Sequence, residues 1–427
     1  MLTKPTQSSH AGRRIAAWLA PALAICLLSP SARAQWTQWG GPNADFMVES
    51  DPLNTSWPED GPPRIWSREL GEGYSSILVD GGNLYTMYRK DSKERVIALD
   101  AVTGKTKWEY AYDETPAEGH VMQFGDGPRA TPLIVGDHIY TIGIAGQMHC
   151  LDKKTGKVTW SHDLWDEFDH TFLNHGYSSS PFAYKNSVIA LVGGEKNAIV
   201  AFDQKDGKLL WKNQSFTNSY STPRLIEVDG ETQLLCYMGE ELASINPDNG
   251  DLYWSYEIGN QWGQNVSQPI FGDENVLFFS TVQDGSRGLR LQKEGGEWKP
   301  EELWSSRRVQ FYHVPTVGIG DYVYGCSGSG MGQAGLFCCV NRKTGEIMWK
   351  IRGMSKATTL YADGKFIILD ENGKLTIAKA NPEEFELLSE STVLDNPAWS
   401  APTLVGSTLY LRDKKNIMAL DLSSSKS

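Results

Sequence analysis

The chain has 427 residues, with 40 basic and 52 acidic side chains and a formal net charge of −12. That acidic balance argues against nucleic acid and anionic membrane surfaces as partners, because their phosphates call for basic faces. No glycine-poor stretch with a 3.6-residue period reaches helical length in the mature chain, which excludes a helical core.

Residues 1–34 read as a secretory signal. Lys4, Arg13 and Arg14 precede an apolar run from Ile15 to Leu28, and Ala32-Arg33-Ala34 fits a small-x-small cleavage site. The run is shorter than the ~20 residues of a membrane span. Ile25 stands where a small residue normally precedes a lipid-modified cysteine, so Cys26 gives no lipobox, and the residues around Arg13-Arg14 fit twin-arginine export poorly. A soluble periplasmic or secreted protein, cleaved near Ala34, is expected. Without Lys4, Arg13, Arg14 and Arg33, 36 of the 40 basic residues remain against all 52 acids. Five of the six cysteines also remain (Cys150, Cys236, Cys326, Cys338, Cys339). They are expected as buried apolar fillers, with at least one thiol unpaired.

Residues 35–62 form an N-terminal arm, and 63–427 repeat. A small or polar pair, usually followed by proline, leads into an alternating apolar run across a Gly/Asp turn. Copies begin at Ser75, Ala130, Ser179, Ser221, Ser267, His313, Ala357 and Ser400, and aligned on the proline site they lie 55, 49, 42, 46, 46, 44 and 43 residues apart. A second phrase follows most copies, as in IALDAVTGKTKW (97–108) and HCLDKKTGKVTW (149–160). Asp or Asn, then Gly, supplies the side-chain bond and the positive φ of a tight hairpin. Each repeat is therefore four short antiparallel strands, A to D, or one propeller blade.

The eighth repeat stops after strand C, at IMALDLSSS (417–425). Pro63–Leu70 (PRIWSREL) is similar to Lys157–Leu164 (KVTWSHDL), with Trp66 in the place of Trp160. The fold expected is all-β: an eight-bladed propeller of four-stranded antiparallel blades, closed by an N-terminal strand that completes the last blade and removes its open edge. The seventh repeat carries Leu387 where the others carry tryptophan, and the fifth stretches its turn.

Residues just before each A strand ring one mouth of the central channel. Three positions before the proline site stand Tyr74, Arg129, Ser178, Tyr220, Val266, Tyr312, Lys356 and Trp399, with Tyr177 as the alternative to Ser178. Aromatics and two cations suit a flat or anionic ligand, and they would equally plug a narrow channel. The acidic, histidine-rich segment 162–175 offers His162, Asp166, Asp169, His170 and His175 as mixed metal ligands; solvated surface is the plainer expectation, and no metal is assigned. Gly330-x-Gly332-x-x-Gly335 matches a dinucleotide fingerprint in spacing, but it joins strands B and C instead of opening a helix.

The phrase Ala98-x-Asp100-x-x-Thr103-Gly104-x-x-x-Trp108, recurring in most blades, resembles the tryptophan-docking motif of the PQQ-like β-propellers, the quinoprotein dehydrogenase and BamB type. Trp36-x-Gln38-Trp39-x-Gly41-Pro42-Asn43, Gly127–Pro132 and Leu369–Gly373 look like a smaller group of exported bacterial members. The resemblance implies that Trp66, Trp108, Trp160, Trp211, Trp254, Trp304 and Trp349 dock on the next blade. It also implies two functions. One is a non-catalytic binding or scaffolding module of the envelope, for which no cofactor is expected, holding an envelope protein or small ligand at its mouth as a monomer. The other is an oxidoreductase using PQQ with Ca²⁺ on an alcohol or sugar, with Glu240 and Asp370-Glu371 on B–C loops as carboxylates reaching inward, Asn265 as an amide, and Glu240 or Asp370 as general base. The adjacent-cysteine disulfide of the dehydrogenases would correspond to Cys338-Cys339. Here, however, the pair falls inside a strand, where alternation separates the sulfurs, so a cross-strand link from Cys326 is the better expectation.

Overall fold

Eight four-stranded antiparallel sheets follow one another along the chain. The computed structural model describes residues 1–2, 35–259, 262–282, 284–312, 314–328, 335–395 and 397–424. The signal-segment reading therefore lies outside the described residues, as do Gly330, Gly332 and His313. Blade 1 shows the pattern: strand A (Leu78–Asp80), B (Asn83–Lys90), C (Lys93–Asp100) and D (Thr106–Asp113). Strands A to C are sandwiched between neighbouring blades and read as near-continuous apolar runs, whereas D alternates buried and exposed positions at the rim. Beyond strands, the described residues include a single-turn helix, Leu164–Glu167. None of their helices is long and apolar enough to cross a membrane.

The last sheet is built from both ends of the repeat region. Arg64–Glu69 pairs antiparallel with Asn416–Asp421, beside Thr408–Arg412 and Thr403–Val405. Arg412, at the end of strand B in this blade, is fully buried and crosses into blade 1. Its guanidinium donates to Ser75 O (3.0 Å), Thr86 Oγ1 (3.1 Å) and Met87 O (2.7 Å).

The two repeated phrases meet across blade boundaries. Trp66 Nε1 donates to Ala101 O (3.0 Å), Trp108 to Lys153 O (3.0 Å), Trp160 to Gln204 O (3.2 Å), Trp304 to Arg342 O (2.8 Å) and Trp349 to Asn381 O (3.1 Å). Each ring lies over the C–D turn of the next blade. At Gly104 (φ +68°) a β-carbon would come within 2.6 Å of the Trp66 ring, so glycine serves both the turn and the docking. Trp211 packs on Gly250 in the same way. Trp254 departs from the expectation: its Nε1 donates within its own blade, to Gln233 Oε1 (3.0 Å). Blade 5 joins Gly285–Glu294 to Glu297–Ser306 through Gly295-Gly296, and so lacks the short Asp-x-x-Gly turn that would seat it.

The pair opening each A strand has a role the repeat alone did not reveal. Ser76 N donates to Thr131 Oγ1, Thr131 N to Ser180 Oγ and Ser180 N to Thr222 Oγ1, each at 3.0 Å. Hydroxyl by hydroxyl, successive blades are stitched together around the channel, and Thr403 Oγ1 continues the stitching to Ile77 O (2.7 Å). All five cysteines among the described residues are buried free thiols. The Cys326 link does not form, since Cys326 lies opposite Phe337 and its Sγ faces Met354 O (3.1 Å). Cys338 and Cys339 face opposite sides of their sheet, in separate apolar clusters.

The arm closes one end of the channel. Trp36 pairs with Val79, Thr37 O accepts from Ile134 N (2.8 Å), and Phe46 and Val48 bracket Tyr361. These are the far ends of A strands, so the arm crosses the face opposite the mouth. Burial raises the carboxyl of its Asp45 above the usual range, against the bond from Met47 N and the charge of the half-buried Arg224.

Two outcomes follow from this closure. A chain starting at Gly71 should unfold at least ~10 °C below one starting at Pro63, a comparison that isolates the closing strand from the arm in a thermal melt. Thr131→Val should cost about 1–3 kcal/mol in denaturant unfolding by leaving the buried Ser76 N–H unpaired, whereas Thr131→Ser should cost little.

Candidate functional site

The residues preceding the A strands converge on a cavity of about 220 Å³ at the mouth. Arg129, Ser178, Tyr220, Val266, Tyr312, Lys356 and Trp399 line it, joined by Phe124, His175, Gln264 and Val314. A second cavity of about 170 Å³ shares several of these residues and adds Tyr74, Thr222, Gln268 and Trp39. Trp39 comes from the arm and stacks edge-on against Phe46 (5.0 Å), so the channel is floored by the chain's own N-terminal segment. Tyr177 is placed elsewhere: it is buried in the core between blades 2 and 3, against Gly146, and Ser178 takes the lining position.

Phe124 and His175 lie on the long D–A connections after blades 1 and 2, where the two largest repeat spacings, 55 and 49 residues, leave chain to spare. That excess was the available signal for both. Nothing in the repeat pointed to Trp39 or Gln264. Phe124 packs edge-on against Trp399 (5.3 Å), which lies 5.0 Å from Tyr74.

The two cations differ in their surroundings. Lys356, at φ +45°, places Nζ 4.7 Å over the Trp399 ring and 2.9 Å from Glu371 Oε2. Trp399 Nε1 and Ser355 Oγ also donate to Glu371. Burial raises the Glu371 carboxyl, but these bonds outweigh it and hold the group below its ordinary value. Arg129 instead donates to two backbone carbonyls, His175 O (2.6 Å) and Gly125 O (3.1 Å), and has no carboxylate partner among the described residues. Asp126, close enough to act on it by charge, is held by Arg89 at 3.0 Å. Burial, then the Arg129 charge, lowers the His175 pKa, and burial pushes Tyr74 up to about 12. At neutral pH the mouth therefore carries the Arg129 charge, with the Lys356–Glu371 pair cancelling.

The remaining sequence candidates do not join this site. Asp370 caps its own turn, accepting from Asn372 N and Lys374 N (both 2.9 Å), and Glu240 is exposed on the B–C turn of blade 4; neither lines the mouth. Asn265 Nδ2 donates to Met238 O (2.6 Å) and Gly239 O (3.1 Å). His162 bonds Glu167 and Gly207 O, His170 bonds Trp165 O, and Asp169 accepts from Glu195 N, while Asp166 is exposed and His175 is in the mouth. These groups do not converge, and among the described residues no group of three His, Cys, Asp or Glu could hold a metal. Calcium requires six to eight oxygens, several of them anionic. The two cavities offer hydroxyls and the amides of Gln264 and Gln268, so their lining fits a flat anion but not the metal that accompanies PQQ.

A family model described as outer membrane protein assembly factor BamB matches residues 113–351, more than half of the chain. Quinohemoprotein alcohol dehydrogenase ADH IIB of Pseudomonas putida is 27% identical over 220 residues, covering 48% of this chain and 30% of that protein. This match thus spans less than a third of the dehydrogenase. BamB of Yersinia pestis is 23% identical over 299 residues, covering 58% of this chain and 75% of its own. The solved quinohemoprotein alcohol dehydrogenase ADHIIG from Pseudomonas putida HK5 has a TM-score of 0.64 at 12% identity, covering 92% of this chain and 81% of that one. At that identity the likeness shows the fold.

Outside the mouth, one group of buried acids stands out at the seam of blades 1 and 2. Glu94 accepts from Tyr112 OH (2.7 Å) and Ile144 N (3.2 Å), and Glu114 from Ala145 N (2.7 Å). A β-carbon on Gly143 would lie 2.6 Å from both carboxylates, so this glycine makes room for the pair. Burial, then the Glu114 charge, pushes the Glu94 carboxyl up to about 8 from 4.5. The folded chain therefore holds a proton that the unfolded chain releases near pH 4.5, and this contribution to stability is lost as pH rises towards 8. Glu94→Gln should flatten the fall in unfolding free energy between pH 5 and 8, by up to about 1.4 kcal/mol per pH unit, in denaturant titrations across that range.

Proposed function

The chain belongs to the family described as outer membrane protein assembly factor BamB, and from that premise we propose that it is a non-catalytic binding and scaffolding propeller of the bacterial envelope. Its ligand or partner segment enters at the mouth. The observation that carries this reading is the lining itself: aromatic walls around one guanidinium with no carboxylate partner among the described residues, and no carboxylate among the side chains that line the cavity. Export through a cleaved signal at 1–34, a periplasmic location and a monomeric state belong to the same proposal. The relatives named for outer-membrane assembly support a protein partner, by analogy of family.

The dehydrogenase relatives favour a second reading, an oxidoreductase that uses PQQ. The aromatic and cationic lining suits a flat acid, but Ca²⁺ finds no oxygen set there, and Glu240 and Asp370 lie outside the lining. No step is therefore drawn through that cofactor.

Supplied with PQQ and Ca²⁺, the chain should give no dye-linked oxidation of alcohols or aldoses. Chemical cross-linking in an envelope extract should give a defined adduct that Tyr312→Ala weakens. Calcium-dependent turnover would reverse the assignment.

A further inference from the structure

We propose that the mouth recognises a carboxylate carried beside a single aromatic ring, with Arg129 as the anion-binding group. This rests on reading the mouth as the binding site, and it names the ligand chemistry.

Charge comes first. Lys356 is already neutralised by Glu371 at 2.9 Å and committed to the face of Trp399. Arg129 is not: two of its N–H groups serve backbone carbonyls, and a guanidinium has five. A half-buried cation with no carboxylate partner among the described residues gains from an incoming anion through charge-assisted, fork-shaped hydrogen bonds. One uncompensated charge matches one carboxylate. A phosphate dianion or a polycarboxylate would bring more charge than the mouth can neutralise, and an organic cation would be repelled.

Shape supplies the rest. The walls beside Arg129 are the rings of Phe124, Tyr220, Tyr312 and Trp399, which favour stacked or edge-on contact with another ring. The volume is about 220 Å³, and an apolar cavity of about 150 Å³ already admits benzene. A single ring with a carboxylate arm therefore fits. Depth is limited from below, because Trp39 floors the adjoining cavity and the arm is held by main-chain bonds to blades 1, 2 and 7. Such a group can belong to a free aromatic acid or to the C-terminal aromatic residue of a polypeptide, and the chemistry at Arg129 is the same.

Calorimetric titration of the full chain with phenylacetate and indole-3-acetate tests this, with the matching amides as neutral controls. A short peptide ending in phenylalanine, as free acid and as amide, distinguishes the two sources. The acids should bind at least about tenfold more tightly than their amides. Arg129→Gln should weaken the acids by about tenfold or more and Arg129→Lys by less, with unchanged thermal melts showing that the variants are folded. Tighter binding of the peptide acid would identify a chain terminus as the source, and equal or weaker binding a free acid. Equal affinity for acids and amides, undiminished binding by a folded Arg129→Gln, or no heat with any acid would each overturn the proposal. If the cross-linked envelope adduct persists in that last case, the scaffold reading stands and only the ligand assignment fails.

Discussion

Closure of the ring is the constraint on which the rest depends. A stack of four-stranded blades has two ends, and each end would leave apolar faces and unpaired strand edges in water. Here Arg64–Glu69 supplies the outer strand of a blade whose other three strands come from the C-terminal end of the repeats. Arg412 reinforces the joint: a buried guanidinium is costly unless its donors are met, and carbonyl and hydroxyl oxygens of blade 1 meet them. Burial lowers its pKa to about 10, which leaves it charged at neutral pH. The last blade is thereby bound to the first through backbone pairing and a buried cation together.

Once closed, the ring sets the mouth. The hydroxyl stitching of Ser76, Thr131, Ser180 and Thr222 places successive A strands at a constant offset, and the residues two or three positions earlier are carried to a common height. Arg129, Tyr220 and Tyr312, distant in sequence, become neighbours for that reason. The docked tryptophans act at the rim as the hydroxyls do at the centre. Contacts at the centre and at the rim tie neighbouring blades together, which suits a surface that binds without rearranging.

Much of the mouth was legible because a propeller converts sequence phase into radial position. The place that fails is the second blade entry, where Tyr177 and Ser178 are adjacent and one residue of phase decides which faces the channel. The same ambiguity separates Asp370, turned into its own loop, from Glu371, which reaches Lys356 and Trp399. Trp254 shows a different limit. Its phrase matches the others, but docking needs a receiving turn in the next blade, and blade 5 replaces that turn with a long hairpin.

By itself the sequence determined the blade count, the four-stranded unit, the closing strand, the opposed facing of Cys338 and Cys339 and most positions around the mouth. Each of these depends on a period or on strand alternation, which are local properties repeated along the chain. The tertiary structure alone decided that the arm returns beneath the channel and floors it with Trp39, that Phe124 and His175 line the opening, and that Arg129 has no carboxylate partner among the described residues while Lys356 is neutralised. Those features come from segments outside the repeat. Their course is set by whichever distant hydrogen-bond partners and apolar surfaces the closed ring presents, and no periodicity in the chain records them.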